Sequence, residues 1–293
     1  MISMGLTGLL ILNQIEPEFA YLPSADEVLN PQVRQTDEYY DLWGKKFSKE
    51  AIKKNKALLT SDKGAVHVTP ELLRLGKNVF YRETFGNEVF ITDILGLFDG
   101  PITLPNIIQS IIALKGKGTT NLQVPLAKTV TIGGKTYRKG TKISTGIDVP
   151  KGSYLPIGMP IKLSEGRLKV GVSCAVCHAR LDPHTMKVIE GAYNHDLNQG
   201  LLLAMATNSS AFFTHAKLDD KQLRALTDHL KRLPSKEKME EIVDRSFAKW
   251  PVGMFDSTID LKANLTKIPD TFTANAHPYG WSGFASVGPF HGL

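Results

Sequence analysis

Cysteine is scarce in this chain: two of 293 residues. With no second cysteine pair, a zinc site would have to find two or more ligands elsewhere. Long hydrophobic runs are also missing. None approaches the ~18 apolar residues that span a bilayer, which excludes a transmembrane helix. Lysine is scattered and no arginine-rich stripe occurs, so nothing marks a surface for nucleic acid. Neither an internal repeat nor a low-complexity tract is visible. What remains is a globular composition, 42% apolar and 22% charged, in a chain long enough for one large domain or two small ones. The net charge of +6 suits an acidic redox partner protein or peripheral association with an anionic membrane surface. It suits a solvated basic surface with no partner equally well.

Both cysteines fall in Cys174-Ala175-Val176-Cys177-His178. This is C-x-x-C-H, the attachment signature of a covalent c-type haem. Two thiols three residues apart on a helical turn can each form a thioether to one haem vinyl group, and the next histidine is then held under the iron. With two cysteines and eight histidines in 293 residues, accidental occurrence of the motif is roughly two in ten thousand. A redox dithiol, a short-loop disulfide and a metal site are the other readings of the pair. The first needs a strand–helix pattern that the neighbouring residues lack. The expected cofactor is therefore one haem c, covalent through Cys174 and Cys177, with His178 as its proximal ligand.

Covalent haem attachment takes place outside the cytoplasm, so the expected location is periplasmic or extracellular. The apolar run Gly5–Leu12 has about the length of a signal-peptide h-region. It lacks a positive n-region and a small-x-small cleavage site, and reads as the remnant of a signal. A short buried segment is the alternative.

Residues 13–64 read as an irregular N-terminal arm, rich in proline and charge. The arm holds an aromatic group, Tyr39, Tyr40 and Trp43, and a basic helix between Ser48 and Leu59. Thr69-Pro70-Glu71-Leu72 is an N-cap, a proline at the first helical position and an acidic first turn. Leu72, Leu75, Val79 and Phe80 continue that helix at helical spacing. Ile102–Leu114 is a second apolar helix, and Val130–Tyr137 is a β-hairpin on Gly133-Gly134. Further helices are expected over 197–205, over 218–233 (stopped by Pro234) and over 235–249. The last forty or so residues have little periodicity, and the stop at His291-Gly292-Leu293 reads as the end of a fragment.

At the haem motif, Gly171-Val172-Ser173-Cys174-Ala175-Val176-Cys177-His178-Ala179-Arg180-Leu181-Asp182-Pro183 resembles the first haem site of large bacterial c-type cytochromes. These are related to di-haem cytochrome c peroxidases, and rubber oxygenases belong to the same broad group. Thr84–Glu88, Gly146–Pro150, Asn194–Gly200 and Asn275–Trp281 add to the likeness. The resemblance implies a mainly α fold: a cytochrome c-like haem domain over residues 65–293, behind an arm over residues 1–64. A large loop-rich insertion at about 88–168, carrying the small β-hairpin, would interrupt it. Such proteins carry a second C-x-x-C-H, which this chain lacks. It therefore reads either as a mono-haem electron carrier of a respiratory or redox chain, or as the N-terminal half of a di-haem peroxidase- or oxygenase-like enzyme.

The sixth iron ligand separates these functions, because a Met or His closes the iron and an open position permits peroxide or O₂ chemistry. His277, in a glycine- and aromatic-rich loop, and Met254, in Pro251-Val252-Gly253-Met254-Phe255, are the leading candidates. Met159 is loop-borne too, whereas Met205 reads as core packing. Arg180 is the residue best placed by sequence to meet a haem propionate. Tyr193, Asn194 and Trp281 are candidate pocket residues, and Glu190 and His277 are the acid–base candidates for an enzyme.

Overall fold

A computed structural model describes residues 18–31, 36–41, 46–55, 59–214, 235–255 and 265–272. Its elements begin where capping chemistry puts them. After β1 (Glu18–Phe19), β2 (Glu38–Asp41), α1 (Lys49–Asn55) and β3 (Ala65–Val68) comes α2 (Pro70–Arg82). It opens on Thr69, whose hydroxyl accepts the Leu72 N–H. α3 (Asn87–Val89) runs on into a π-helical turn, Phe90–Ile94. α4 (Leu104–Ala113) repeats the opening of α2, with Thr103 accepting from Asn106 N–H and a proline in the first turn.

The chain beyond α4 departs from the expected mainly α domain. The described residues are 32% helical and 22% strand, the strands lying in several small sheets. β4 (Gln123–Pro125) pairs with β7 (Lys142–Ser144), and β5 (Val130–Ile132) forms the expected hairpin with β6 (Lys135–Tyr137). β8 (Ile161–Ser164) and β9 (Arg167–Val170) are antiparallel, and β1 joins them in the order β1-β8-β9. The physical reason is periodicity. Ile161-Lys162-Leu163-Ser164 and Arg167-Leu168-Lys169-Val170 alternate with the period of a strand, and Glu165 and Gly166, at φ 54° and 72°, reverse the chain between them. The haem motif itself spans one turn and dictates nothing about its surroundings.

The expected arm is also woven in. β1 pairs with β8, and β2 pairs with β3 across the boundary drawn at residue 64. Tyr39 stacks on His67 with ring centroids 4.3 Å apart.

α5 (Ala175–His178), β10 (Ala179–Leu181) and β11 (Val188–Glu190) carry the haem motif and the chain just after it. α6 (Gln199–Ala204), α7 (Ala211–Thr214), α8 (Lys236–Phe247), β12 (Met254–Phe255) and β13 (Thr266–Lys267) complete the described elements. Gly5–Leu12, Trp43, the helix expected over 218–233, His277 and the stretch 275–281 lie outside the described residues. No helix among the described residues is long and apolar enough to cross a membrane.

Two apolar clusters frame the motif. The main core gathers Leu95, Ile102, Ile111, Leu122, Val149 and Phe247 with Val176 of the motif. A smaller cluster holds Tyr81, Ile157, Leu181 and Val188 with Ala175 and Ala179. Each large side chain so buried contributes roughly 1.5–3 kcal/mol, and both clusters grip the same short turn.

Candidate haem-attachment site

The His178 N–H donates to the Cys174 carbonyl at 3.0 Å and the Cys177 N–H at 3.3 Å, so residues 174–178 form one helical turn. Cys174, Cys177 and His178 stand at i, i+3 and i+4, which places two sulfurs and an imidazole on one face. Ala175 and Val176 go into the two clusters behind it. Cys174 is exposed, while Cys177 and His178 are half-buried. Both cysteines are free thiols.

A turn of four residues does not hold itself; four other segments hold it. Ahead of the motif, the Asn87 side chain donates to the Val172 carbonyl (2.7 Å) and accepts the Val172 N–H (2.9 Å). Thr92 does the same for Val170, accepting its N–H at 3.0 Å and donating to its carbonyl at 3.3 Å. α3 and the π-helical turn that follows it thus each put one side chain along the chain that enters the motif. Ser173 Oγ donates to the Tyr81 carbonyl at 3.0 Å. Beneath the turn, Gly158 accepts the Ser173 N–H at 2.9 Å. A Cβ on Gly158 would stand 2.1 Å from Val176 N, and its φ is +68°. Past the motif, the N–H groups of Asn194 and Gly191 cap the Cys177 (2.8 Å) and His178 (2.9 Å) carbonyls. Finally, Asp148 Oδ2 accepts the Leu181 N–H at 2.6 Å.

His178 Nδ1 lies 3.0 Å from the Pro269 carbonyl. A carbonyl only accepts, so Nδ1 carries the proton and the ring's lone pair sits on Nε2. Burial lowers the His178 pKa, with the Pro269 bond partly opposing it. The neutral imidazole, the ligating form, is therefore favoured. Burial raises the Cys174 thiol, and pushes Cys177, with Cys174 beside it, up to about 12. A redox dithiol needs a depressed thiol, and burial here acts in the opposite direction on both. Among the described residues, no cluster of three or more His, Cys, Asp or Glu could hold a bare metal ion.

Around this turn the charges are paired. Arg180 Nη1 donates to the His195 ring (2.6 Å to Nδ1), and Nη2 lies 3.4 Å from Asp196. Tyr81 is 1% exposed, and its hydroxyl donates to Glu190 at 2.9 Å. Lys77 stands 3.7 Å from the same carboxylate. Asp148, 4% exposed, is pushed up to about 7, mainly by burial and also by Asp196, against the Leu181 bond and Arg180. A separate cavity of about 440 Å³ is lined by α8 and the β5–β6 turn and touches none of the motif residues.

No protein-family model, curated protein or solved structure matches the chain. The group to be tested against the site is therefore the one its own motif implies. The site's donor set is the one a covalent haem would need: two free thiols on one turn, Cys174 exposed and Cys177 packed against the main core, and a histidine whose ligating tautomer is held by a carbonyl, a common outer-shell partner.

Of the residues singled out by sequence, Cys174, Cys177 and His178 share the turn, and Arg180 follows on β10 with its guanidinium on His195 and Asp196. Met254 lies in β12, which pairs antiparallel with β13 (Thr266–Lys267), two residues ahead of the Pro269 that holds Nδ1. Met205 is 1% and Met159 7% exposed, and both pack in the main core. Asn87, Asp148 and Asn194 lie within the stretches that carry the resemblance, where nothing in the sequence marks them as clamps. Pro269 carries no signal at all: a carbonyl from a loop 91 residues away leaves no pattern in a sequence.

Proposed function

We propose that this chain is an exported c-type cytochrome that binds one haem covalently and carries single electrons between redox partner proteins. The observation that carries the reading is the Pro269 carbonyl on His178 Nδ1, because it selects the tautomer whose Nε2 can ligate iron. When bound, haem iron supplies one-electron oxidation and reduction. The chain's own residues have simpler tasks. Cys174 and Cys177 anchor the group, His178 ligates it, and Arg180 with His195 meets its carboxylates. The apolar clusters behind the turn exclude water. Glu190, an acid–base candidate, is tied to Tyr81 and Lys77 on the hairpin behind the motif. That engagement favours a carrier over a peroxidase- or oxygenase-like enzyme.

The test is expression in a host that matures c-type haem, with intact mass and a pyridine haemochrome spectrum as readouts. The wild-type chain should gain the mass of one haem, and Cys174→Ser with Cys177→Ser should gain none. A low-spin spectrum indifferent to CO and peroxide supports the carrier. A high-spin spectrum that responds to peroxide moves the chain to the enzyme class. Absence of covalent haem from the wild-type chain overturns the proposal.

A further inference from the structure

We propose that Asn194 is a positioning residue, whose side-chain amide sets the position of the imidazole of His178 through the backbone of the haem-binding turn. The inference rests on the haem reading above and extends it to a residue that touches neither ring nor sulfur in any bond described.

α5 has only four residues, so its last carbonyls find no partners inside the helix. Asn194 supplies them twice. Its backbone N–H donates to Cys177 O at 2.8 Å, and its Nδ2 donates to Val176 O at 3.2 Å. The same Nδ2 donates to Gly146 O at 2.9 Å, and Oδ1 accepts the Asp196 N–H at 3.2 Å. One amide thus ties the turn to the 146–148 loop and orders the 194–196 segment as well. At 3% exposure these bonds do not compete with water.

Close packing makes the clamp rigid. Gly146, at φ +69°, approaches so closely that a Cβ there would stand 1.7 Å from Asp196 O. Neither segment can move toward the other, so the turn takes its position from the amide between them. Because the two capped carbonyls belong to the residues immediately before His178, loosening them tilts the ring away from Pro269. With haem bound, a weaker Nδ1–H bond would make the His178 imidazole a poorer donor to oxidised iron and would raise the reduction potential.

Asn194→Asp is nearly isosteric but loses both Nδ2 donors, whereas Asn194→Ala removes the side chain. Both are compared with wild type, haem-loaded, by intact mass, by absorption spectrum and by reduction potential across pH. Arg180, His195, Asp196 and Asp148 face this segment in every variant, so the wild-type profile is the baseline. The expected result is a potential raised by the equivalent of a tenfold change in the redox equilibrium, about 59 mV. In Asn194→Asp this shift should reverse at acid pH, where the protonated carboxyl donates one hydrogen bond again; in Asn194→Ala it should not. Should Asn194→Ala fail to fold, the isosteric variant carries the test alone. If both variants load haem and unfold more easily but keep the wild-type potential and spectrum, Asn194 is a structural cap only and the inference fails. A wild-type chain without covalent haem would instead overturn the haem reading, an outcome read directly from the mass.

Discussion

Asp148→Asn should stabilise the protein at mildly alkaline pH. The carboxyl is 4% exposed, accepts a single backbone N–H from Leu181, and is pushed from an ordinary 3.8 to about 7. Desolvation of the charged form is the main cause, and Asp196 adds repulsion that Arg180 only partly offsets. A carboxyl whose folded value stands above its unfolded one binds its proton more tightly in the folded chain. Its contribution to stability is then fully present below about 3.8 and is lost as the pH rises through about 7. A gap of about three pH units at 1.36 kcal/mol each makes roughly 4 kcal/mol the largest cost of keeping this group ionised in the fold. An asparagine keeps the acceptor for Leu181 and carries no charge. The variant should therefore gain between about 1 and about 4 kcal/mol near pH 8 and almost nothing near pH 3, below the unfolded value. Urea unfolding of both chains at the two pH values measures this directly. Should the variant gain nothing near pH 8, Arg180 fully offsets the buried carboxylate, and the argument from desolvation is wrong. Asp244, also pushed to about 7 by burial, titrates in the same window in both chains and cancels in the comparison.

Two further substitutions test the packing around the motif. Gly158→Ala should cost more than about 3 kcal/mol, since the new Cβ meets backbone, which cannot swing aside, and the positive φ strains any other residue; an unchanged melting temperature would refute it. Phe85 holds φ +52° with its side chain 78% exposed, so Phe85→Asn should stabilise by about 0.5–1 kcal/mol through relief of left-handed strain. A lowered melting temperature would mean that the ring contributes packing that its exposure conceals.

The local elements are legible where one-dimensional chemistry decides them. Thr69-Pro70 opens a helix because a hydroxyl reaches the first turn and a proline needs no donor there, whatever surrounds them. Gly133-Gly134 turns a hairpin for the same kind of local reason. The fold class is not legible, because the haem motif points toward helices while strand-period stretches such as 161–170 carry their own signal. Only a partner strand, contributed by residues 18–19, completes that sheet.

The site divides in the same way. C-x-x-C-H determines by itself that two sulfurs and an imidazole share a face, since helical geometry brings i, i+3 and i+4 together at any address in a chain. Everything that holds that face was decided by the tertiary structure: the Pro269 carbonyl on Nδ1, the Asn87 and Asn194 side chains at the two ends of the turn, and the close approach of Gly158. These contacts join segments far apart in sequence. A hydrogen bond from a loop carbonyl or a side-chain amide needs no particular spacing or period, only the distance that folding supplies.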